Sequence, residues 1–87
     1  MITVYVLKSI SSDIFYTGMT EDLERRLSEH NAGKSKFTSG HRPWVVMYSE
    51  TQPDWKSARI REKYLKTTTG KKWLMKFLEG RNDEFPA

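Results

Sequence analysis

Hydrophobic and polar positions alternate along the chain with two different periods. Runs rich in β-branched and aromatic residues, which favour strands, cover residues 2–8, 14–18 and 44–50. Apolar residues at helical spacing, which indicate amphipathic helices, recur in residues 21–31, 57–67 and 71–80. Polar segments separate these runs. The pattern therefore predicts the element order β-β-α-β-α-α.

The first two predicted strands are close in sequence, because only the polar segment 9–13 separates them. We expect them to form an antiparallel hairpin within a small three-stranded antiparallel sheet flanked by helices. The fold class is thus α/β, of the α+β kind. A chain of 87 residues is expected to form one domain, here residues 1–80, followed by a flexible tail at 81–87.

Local signals place the ends of the helices. Thr20 is predicted to be the N-cap of the first helix, since threonine side chains accept hydrogen bonds from free backbone N–H groups. Residues 33–43, rich in Gly, Ser, Thr and Lys, are predicted to form a flexible basic loop. The segment "TTTG" at 67–70 is expected to interrupt the helical pattern between the second and third helices.

Composition excludes several kinds of site. The chain has no cysteine, which rules out disulfides and thiolate metal sites, and its two histidines are too few for a zinc site without carboxylates. No stretch approaches the roughly 20 apolar residues of a membrane span, and the short apolar N-terminal run is not read as a signal peptide. We therefore expect a cytoplasmic protein with no membrane partner. Its net charge of +4 suits a polyanion.

Basic residues are concentrated in the C-terminal half. Residues 55–78 contain eight lysines and arginines and a single acid, Glu62. Glu62 has two open interpretations. It could pair with Lys66, four residues later, on a solvated helix. Alternatively, because it shares a helix line with Ala58 and Leu65, it could bind a hard divalent cation through oxygen.

Arg26 and His30 lie one turn apart on the same edge of the first predicted helix, beside its apolar stripe. One interpretation is structural: the arginine extends over the core, and the histidine is a surface residue near the helix end. The other is functional, because a planar guanidinium and an imidazole on one edge can converge on a phosphate.

Tyr5 and Tyr16 are placed on neighbouring strands of the predicted hairpin. Strand tyrosines are most often half-buried core residues. A tyrosine hydroxyl can also act as a general base when a nearby charge lowers its pKa or a metal-bound water supplies the proton.

These residues together resemble the GIY-YIG endonuclease domain, in particular small stand-alone bacterial members related to the nuclease module of the excinuclease. Thr3-Val4-Tyr5 stands at the first motif and Tyr16-Thr17-Gly18 at the second. Arg26 follows Tyr16 by ten positions, where the family keeps an arginine, and "ARIREKYLK" resembles its metal-binding helix. The resemblance covers about residues 2–78.

The resemblance implies a divalent-metal-dependent endonuclease that hydrolyses phosphodiester bonds in DNA during repair or recombination. Glu62 would bind Mg²⁺ or Mn²⁺, and Tyr5 would be the general base. Tyr16 would position water or phosphate, and Arg26 would offset charge on phosphorus. His30 would assist the phosphate or anchor Tyr5. A domain with no further DNA-reading element is expected to cut nonspecifically or to prefer a DNA structure.

The sequence departs from the family pattern in its first motif and at Met19, and the family asparagine has no match here, since Asn82 lies in the predicted tail. Two other functions therefore stay open: a catalytically weak nucleic-acid-binding or regulatory module, and a partner-binding domain. DNA is the expected partner, with RNA as the alternative. The residues predicted to contact nucleic acid are Gly18, Lys34, Lys36, His41, Arg42, Lys66, Lys71 and Lys72.

Overall fold

The computed structural model describes the backbone of residues 1–84 and the side chains of residues 1–80. The elements are β1 (Ile2–Ser9), β2 (Phe15–Thr20), α1 (Leu23–Asn31), α2 (Lys36–Ser39), β3 (Trp44–Gln52), α3 (Trp55–Lys66) and α4 (Thr68–Glu84). The three strands form one antiparallel sheet in the order β2-β1-β3. The predicted fold class is confirmed, with the short helix α2 as an addition to the predicted order.

β1 is the central strand, and both of its faces are covered. Val4 and Val6 face α3 and α4, where they pack with Ala58, Leu65 and Leu74. Tyr5 and Leu7 point to the opposite face, where they pack with Trp44 and the α1 residues Leu23 and Leu27. Successive side chains of a strand point to opposite faces, so one strand supplies both cores. Tyr5 is thereby fixed in a rigid part of the molecule.

The N-cap prediction for α1 is wrong. Thr20 pairs with Thr3 as the last residue of the β2 ladder, so it belongs to the strand rather than the helix. Asp22 is the N-cap, and its Oδ1 accepts a hydrogen bond of 3.1 Å from the backbone N–H of Arg25. The Thr20 hydroxyl instead accepts from the Asp22 N–H at 3.1 Å and shapes the turn between the two elements.

The segment predicted to be a flexible loop is partly ordered. α2 occupies its middle, and Thr38 on this helix is fully buried. The Trp44 indole N–H donates to the Thr38 carbonyl at 2.8 Å, which ties the segment to the start of β3. Gly33 adopts a φ of 81°, a left-handed conformation that glycine allows without strain.

α3 and α4 meet at a very close backbone contact. Thr67 is the C-cap of α3, and its hydroxyl accepts from the Gly70 N–H at 3.0 Å. The predicted interruption is thus a single residue, because α4 begins at Thr68. A Cβ on Gly70 would overlap the Tyr64 carbonyl oxygen and lie 2.9 Å from the Leu65 Cα.

Replacing Gly70 with alanine should therefore destabilise the fold. The added methyl meets backbone atoms that cannot rotate away, and such overpacking costs about 1–3 kcal/mol. Thermal unfolding followed by circular dichroism should show a Tm lowered by several degrees. Gly80→Ala is the matched control, since a Cβ on Gly80 would meet no atom within 4 Å, and its Tm should be unchanged or raised. Equal effects of the two substitutions would contradict the close contact.

The C-terminal prediction concerns residues 81–87. α4 continues to Glu84, and residues 85–87 lie outside the described part of the chain, so the flexible tail stays a prediction. Among the described residues, no helix combines the length and apolar character needed to cross a bilayer.

Candidate active site

Tyr5 is the centre of a polar cluster on the α1 side of the sheet. Its side chain is 1% exposed, and its hydroxyl is 3.1 Å from the His30 Nε2 on α1. Tyr16 lies on the neighbouring strand with its ring centroid 6.3 Å from that of Tyr5 and 4.9 Å from that of His30. Three of the predicted site residues are therefore packed against one another.

Gly18 creates the space that Tyr5 occupies. The two residues face each other across the ladder, and a Cβ on Gly18 would lie 2.6 Å from the Tyr5 hydroxyl oxygen. Gly18 is buried beneath this ring. The close approach that the glycine allows is therefore made by Tyr5, and its burial does not favour the predicted direct contact with nucleic acid.

His30 is fully buried, at 0% exposure, which excludes the interpretation as a surface residue. Its Nδ1 lies 2.8 Å from the hydroxyl of Thr38, whose Oγ1 in turn donates to the Ser35 carbonyl at 3.5 Å. We assign the Nδ1–H tautomer from this network, because the hydroxyl that donates to Ser35 is free to accept from Nδ1. The lone pair on Nε2 then accepts the hydroxyl proton of Tyr5.

The local electrostatics keep both partners neutral near pH 7. Burial, with a smaller contribution from Tyr16, raises the pKa of Tyr5 to about 12. Burial and the neighbouring Arg26 charge lower the pKa of His30. A neutral phenol thus faces a neutral imidazole, an arrangement in which a proton can pass from one to the other.

Arg26 lies at the solvent side of this cluster. Its Nη1 forms a 3.1 Å ion pair with the Glu29 carboxylate, and its side chain is 31% exposed. The nearby guanidinium opposes part of the increase in the Tyr5 pKa. Held by Glu29 and still open to solvent, it is available to a phosphate.

Glu62 lies on α3, which packs against the opposite face of the sheet from α1. Its side chain is 17% exposed, and its Oε2 lies 3.6 Å from the Lys66 Nζ, so the predicted helix pair does form. Its charge nevertheless acts on Tyr5 and contributes to the raised pKa. This influence, the smallest of those acting on the Tyr5 pKa, is the link between Glu62 and the cluster.

The residues present fit a magnesium-type ion only in part. No group of three or more His, Asp or Glu side chains suited to a metal occurs within the described residues. Mg²⁺ commonly binds through one or two carboxylates and keeps several waters and substrate phosphate oxygens. The partly exposed Glu62 carboxylate meets that requirement if a phosphate completes the site.

The residues predicted to contact nucleic acid are spread over the surface. Lys34, Lys36, Lys66, Lys71 and Lys72 are exposed. Arg42 is exposed but donates to the Ser39 carbonyl at 2.9 Å, and His41 shares a 3.0 Å hydrogen bond with Ser12. Met19 is half-buried against the α3 side of the core. The Asn82 side chain lies outside the described residues.

Thr38 is the functional residue that sequence patterns did not reveal. Its role depends on contact with His30, and a threonine inside a Ser- and Lys-rich segment gives no pattern from which that contact could be inferred. It is a positioning residue, since it touches His30 rather than the space next to Arg26.

Replacing Thr38 with valine should uncouple this network. Valine cannot accept from the buried Nδ1–H, and an unsatisfied buried donor costs about 1–3 kcal/mol. The resemblance stated above implies phosphodiester cleavage, and on that expectation the loss of one supporting hydrogen bond should slow the reaction about tenfold and shift the acid limb of its pH–rate profile. Thr38→Ser, which keeps the hydroxyl, should restore both. A valine variant that loses stability but keeps the wild-type rate and pH profile would limit Thr38 to packing.

Comparison with known proteins shows the family to which this chain is related. The profile of the GIY-YIG catalytic domain matches residues 1–77. A UPF0213 protein of Staphylococcus haemolyticus is 37% identical over 79 residues, which are 90% of this chain and 94% of that protein. A UPF0213 protein of Halobacterium salinarum is 42% identical over 62 residues, or 70% and 78% of the two chains.

A solved structure shows the same fold. The solution NMR structure of a UPF0213 protein from Bacillus halodurans superposes with a TM-score of 0.53 at 30% identity, covering 88% of this chain and 85% of that one. The family profile spans both motif tyrosines, the arginine and the glutamate. The chain therefore belongs to the GIY-YIG catalytic domain family.

Proposed function

We propose that this protein is a divalent-metal-dependent endonuclease that hydrolyses phosphodiester bonds in DNA. The observation that carries the proposal is the hydrogen bond between the Tyr5 hydroxyl and the His30 Nε2, with Arg26 beside it. A buried phenol on a neutral histidine, next to an exposed guanidinium, combines a proton acceptor with an anion site. The pairing favours attack of water on a bound phosphate.

Tyr5 and His30 act as one general base in this proposal. Because the Tyr5 pKa is about 12, its phenolate is scarce at neutral pH. Water therefore gives its proton to the Tyr5 oxygen while the hydroxyl proton moves to the His30 Nε2. The hydroxide bonds to phosphorus, the bond from phosphorus to the leaving 3′ oxygen breaks, and that oxygen takes a proton from solvent to become a hydroxyl. General-base assistance of this kind contributes roughly 10²–10⁴-fold.

Arg26 and Tyr16 bind the reacting phosphate. The guanidinium is positioned by Glu29 before substrate arrives, so it can offset the charge that develops on the phosphoryl oxygens. Tyr16 packs against the His30 ring and is half-buried, so part of it is open to solvent beside the cluster. We assign it a role in orienting the water or the phosphate.

Glu62 would hold Mg²⁺ or Mn²⁺ beside the phosphate. The ion, when bound, supplies Lewis-acid stabilisation of the phosphate and the leaving oxygen. The chain's own contribution is a single partly exposed carboxylate, with Lys66 as its neighbour in the substrate-free protein. A phosphate entering this site would compete for Lys66 and release Glu62.

A catalytically weak nucleic-acid-binding module is the second candidate. It is favoured by the single acid at the metal position, since the described residues contain no cluster of three metal-ligating side chains. Such a module would bind through phosphate contacts with a steep dependence on salt. DNA cutting separates the two candidates.

The experiment is incubation of the purified protein with supercoiled and branched DNA, the latter resembling repair and recombination intermediates. Mg²⁺, Mn²⁺ and EDTA are compared in parallel. The proposal expects metal-dependent nicking without a fixed recognition sequence. Salt-sensitive binding with no cleavage under any condition would favour the binding module.

Arg26→Ala tests whether the guanidinium acts on the reaction. Loss of one preorganised electrostatic group should slow cleavage about 100-fold. Arg25→Ala is the matched control, since Arg25 is exposed on the adjacent position of α1 and carries the same charge. It should cleave at close to the wild-type rate in single-turnover assays. If both variants lose the same cleavage rate, Arg26 acts only through the net charge of the protein.

A further inference from the structure

An exposed tryptophan lies on α3 outside both hydrophobic cores. Trp55, the first residue of the helix, is 48% exposed and is absent from the two core clusters. Exposed apolar residues are common, so exposure alone carries no function. What distinguishes Trp55 is the chemistry of its neighbours on the same helix.

Basic side chains surround Trp55 along one edge of α3. Arg59 follows it by four residues and Lys63 by eight, so both project from the same side of the helix, and Lys56 is adjacent. All three are exposed, and within the described residues none forms an ion pair with a carboxylate. The edge formed by Trp55, Lys56, Arg59 and Lys63 is therefore an uncompensated cationic surface with an aromatic ring at one end.

Arg61 shows that not every basic residue of α3 carries an uncompensated charge. Its guanidinium is bound by the Glu50 carboxylate through two hydrogen bonds of 2.9 Å. It also lies 5.0 Å from the centroid of the Trp73 ring. Arg61 fastens α3 to β3 and is neutralised there, whereas Arg59 and Lys63 keep their charge for a partner.

The cationic edge is continuous with the candidate metal ligand. Glu62 lies three residues after Arg59 and seven after Trp55, spacings that return to the same side of an α-helix. Seven residues correspond to roughly 10 Å along the axis. A strand with one phosphate at Glu62 can therefore reach Trp55 along this edge.

We propose that this edge of α3 binds a single-stranded DNA segment next to the scissile phosphate. Trp55 stacks on an unpaired base, Arg59 contacts a phosphate between that base and Glu62, and Lys63 contacts the strand beside Glu62. The inference rests on the proposed endonuclease function and specifies its substrate class. Stacking requires a base that is free of its partner, so the preferred substrates are DNA structures with a single-stranded arm beside the cleavage position.

Binding in EDTA separates this surface from catalysis. Fluorescence anisotropy would compare a labelled single strand of about 12 nucleotides, within the usual range for such sites, with a duplex of the same length. Trp55→Ala should weaken binding to the single strand about tenfold and binding to the duplex less than about twofold, since stacking on an aromatic ring serves unpaired bases. Trp55→Phe keeps an aromatic face and should restore most of the affinity.

Two further variants act as controls. Ile10→Ala removes another exposed apolar side chain, in the turn between β1 and β2 rather than on α3, and should bind like the wild type. Arg59→Gln should reduce the salt slope of single-strand binding by about 0.7, the value for one phosphate contact. Circular dichroism would verify that each variant is folded.

The outcomes distinguish the two proposals. Wild-type affinity of Trp55→Ala for the single strand, equal losses on single strand and duplex, or no single-strand binding by the wild type would each overturn the inference. If the protein nicks DNA with metal but Trp55→Ala binds normally, only the single-strand surface is wrong. If Trp55→Ala loses single-strand binding but the wild type never cleaves, the surface stands and the endonuclease function fails.

Discussion

Tyr5→Phe is expected to slow DNA cleavage about 10³-fold while leaving the fold intact. The substitution removes one oxygen, and with it the atom that accepts the proton of the attacking water; general-base contributions of roughly 10²–10⁴-fold set the scale. The ring keeps its place against Gly18 and Tyr16, so packing is retained. Single-turnover cleavage of supercoiled DNA with saturating protein measures the effect on the chemical step.

The control for this substitution is Tyr64→Phe. Tyr64 lies half-buried on α3, packed against the core on the opposite side of the sheet. Losing its hydroxyl should leave the cleavage rate within about twofold of the wild-type rate. Substitutions away from special structural features usually change the free energy by less than about 0.5 kcal/mol. Full activity of Tyr5→Phe would remove the tyrosine from the mechanism.

The pH dependence gives the Tyr5 prediction a second readout. His30 must be neutral to take the proton from Tyr5, and burial together with Arg26 lowers its pKa below the ordinary value of 6.5. The neutral form therefore persists on the acid side of 6.5, and cleavage should decline only when the pH falls below that lowered pKa. In Tyr5→Phe this acid limb should disappear, because the remaining slow reaction no longer passes a proton to His30.

Glu62→Gln is expected to reduce cleavage by about 10³-fold or more. Glutamine preserves the size of the side chain but removes the negative charge that holds a hard cation. The Lewis-acid stabilisation lost with the ion is worth several kcal/mol, and each 1.36 kcal/mol is about a factor of ten. Raising Mn²⁺ should recover part of the rate, since the substrate phosphate and waters still offer oxygen ligands.

The free energy of unfolding separates a catalytic role of Glu62 from a purely structural role as the ion-pair partner of Lys66. A partly exposed i,i+4 pair with Lys66 contributes about 0.5 kcal/mol or less, so Glu62→Gln should unfold at nearly the wild-type temperature. Glu79→Gln, an exposed acid on α4, is the matched control and should keep full activity. A Glu62→Gln variant that cuts DNA normally would leave the helix pair as the residue's only role.

Sequence patterns were sufficient for the sheet and for placing Tyr5 and Tyr16 on one face of it. The β1 residues Val4 and Val6 repeat with the period of a strand, and that period also places Tyr5 on the face shared with Tyr16. Val4 is fully buried, so its place within the first motif serves packing, and the tyrosine beside it is the residue to which we assign the chemistry.

Features that depend on distant contacts could not be predicted. Thr20 has the composition of a helix cap, but its pairing with Thr3 across the ladder assigns it to β2 and moves the cap to Asp22. Arg61 belongs by composition to the basic surface, yet Glu50 on β3 binds it. Neither partner is marked in the local sequence, because both are brought close only by the folded chain.

The buried state of His30 is the feature that most changes the proposed chemistry. Helical spacing indicated an edge shared with Arg26, which suggested two groups converging on a phosphate. Burial instead directs the imidazole to Tyr5 and Thr38, so the proposed phosphate contact is assigned to Arg26 alone. The difference arises from α2, whose formation within the basic segment covers His30 and supplies its hydrogen-bond partner.

The central claim is that Tyr5 on β1 and Glu62 on α3 act on the same phosphodiester bond. A double-mutant cycle of single-turnover cleavage rates, with Tyr5→Phe, Glu62→Gln and the combined variant, tests it most directly. Residues that act as a unit are strongly non-additive, so the combined variant should be no more than about threefold slower than the slower single variant. A combined loss equal to the product of the two separate losses would place the two side chains in independent roles and contradict the claim.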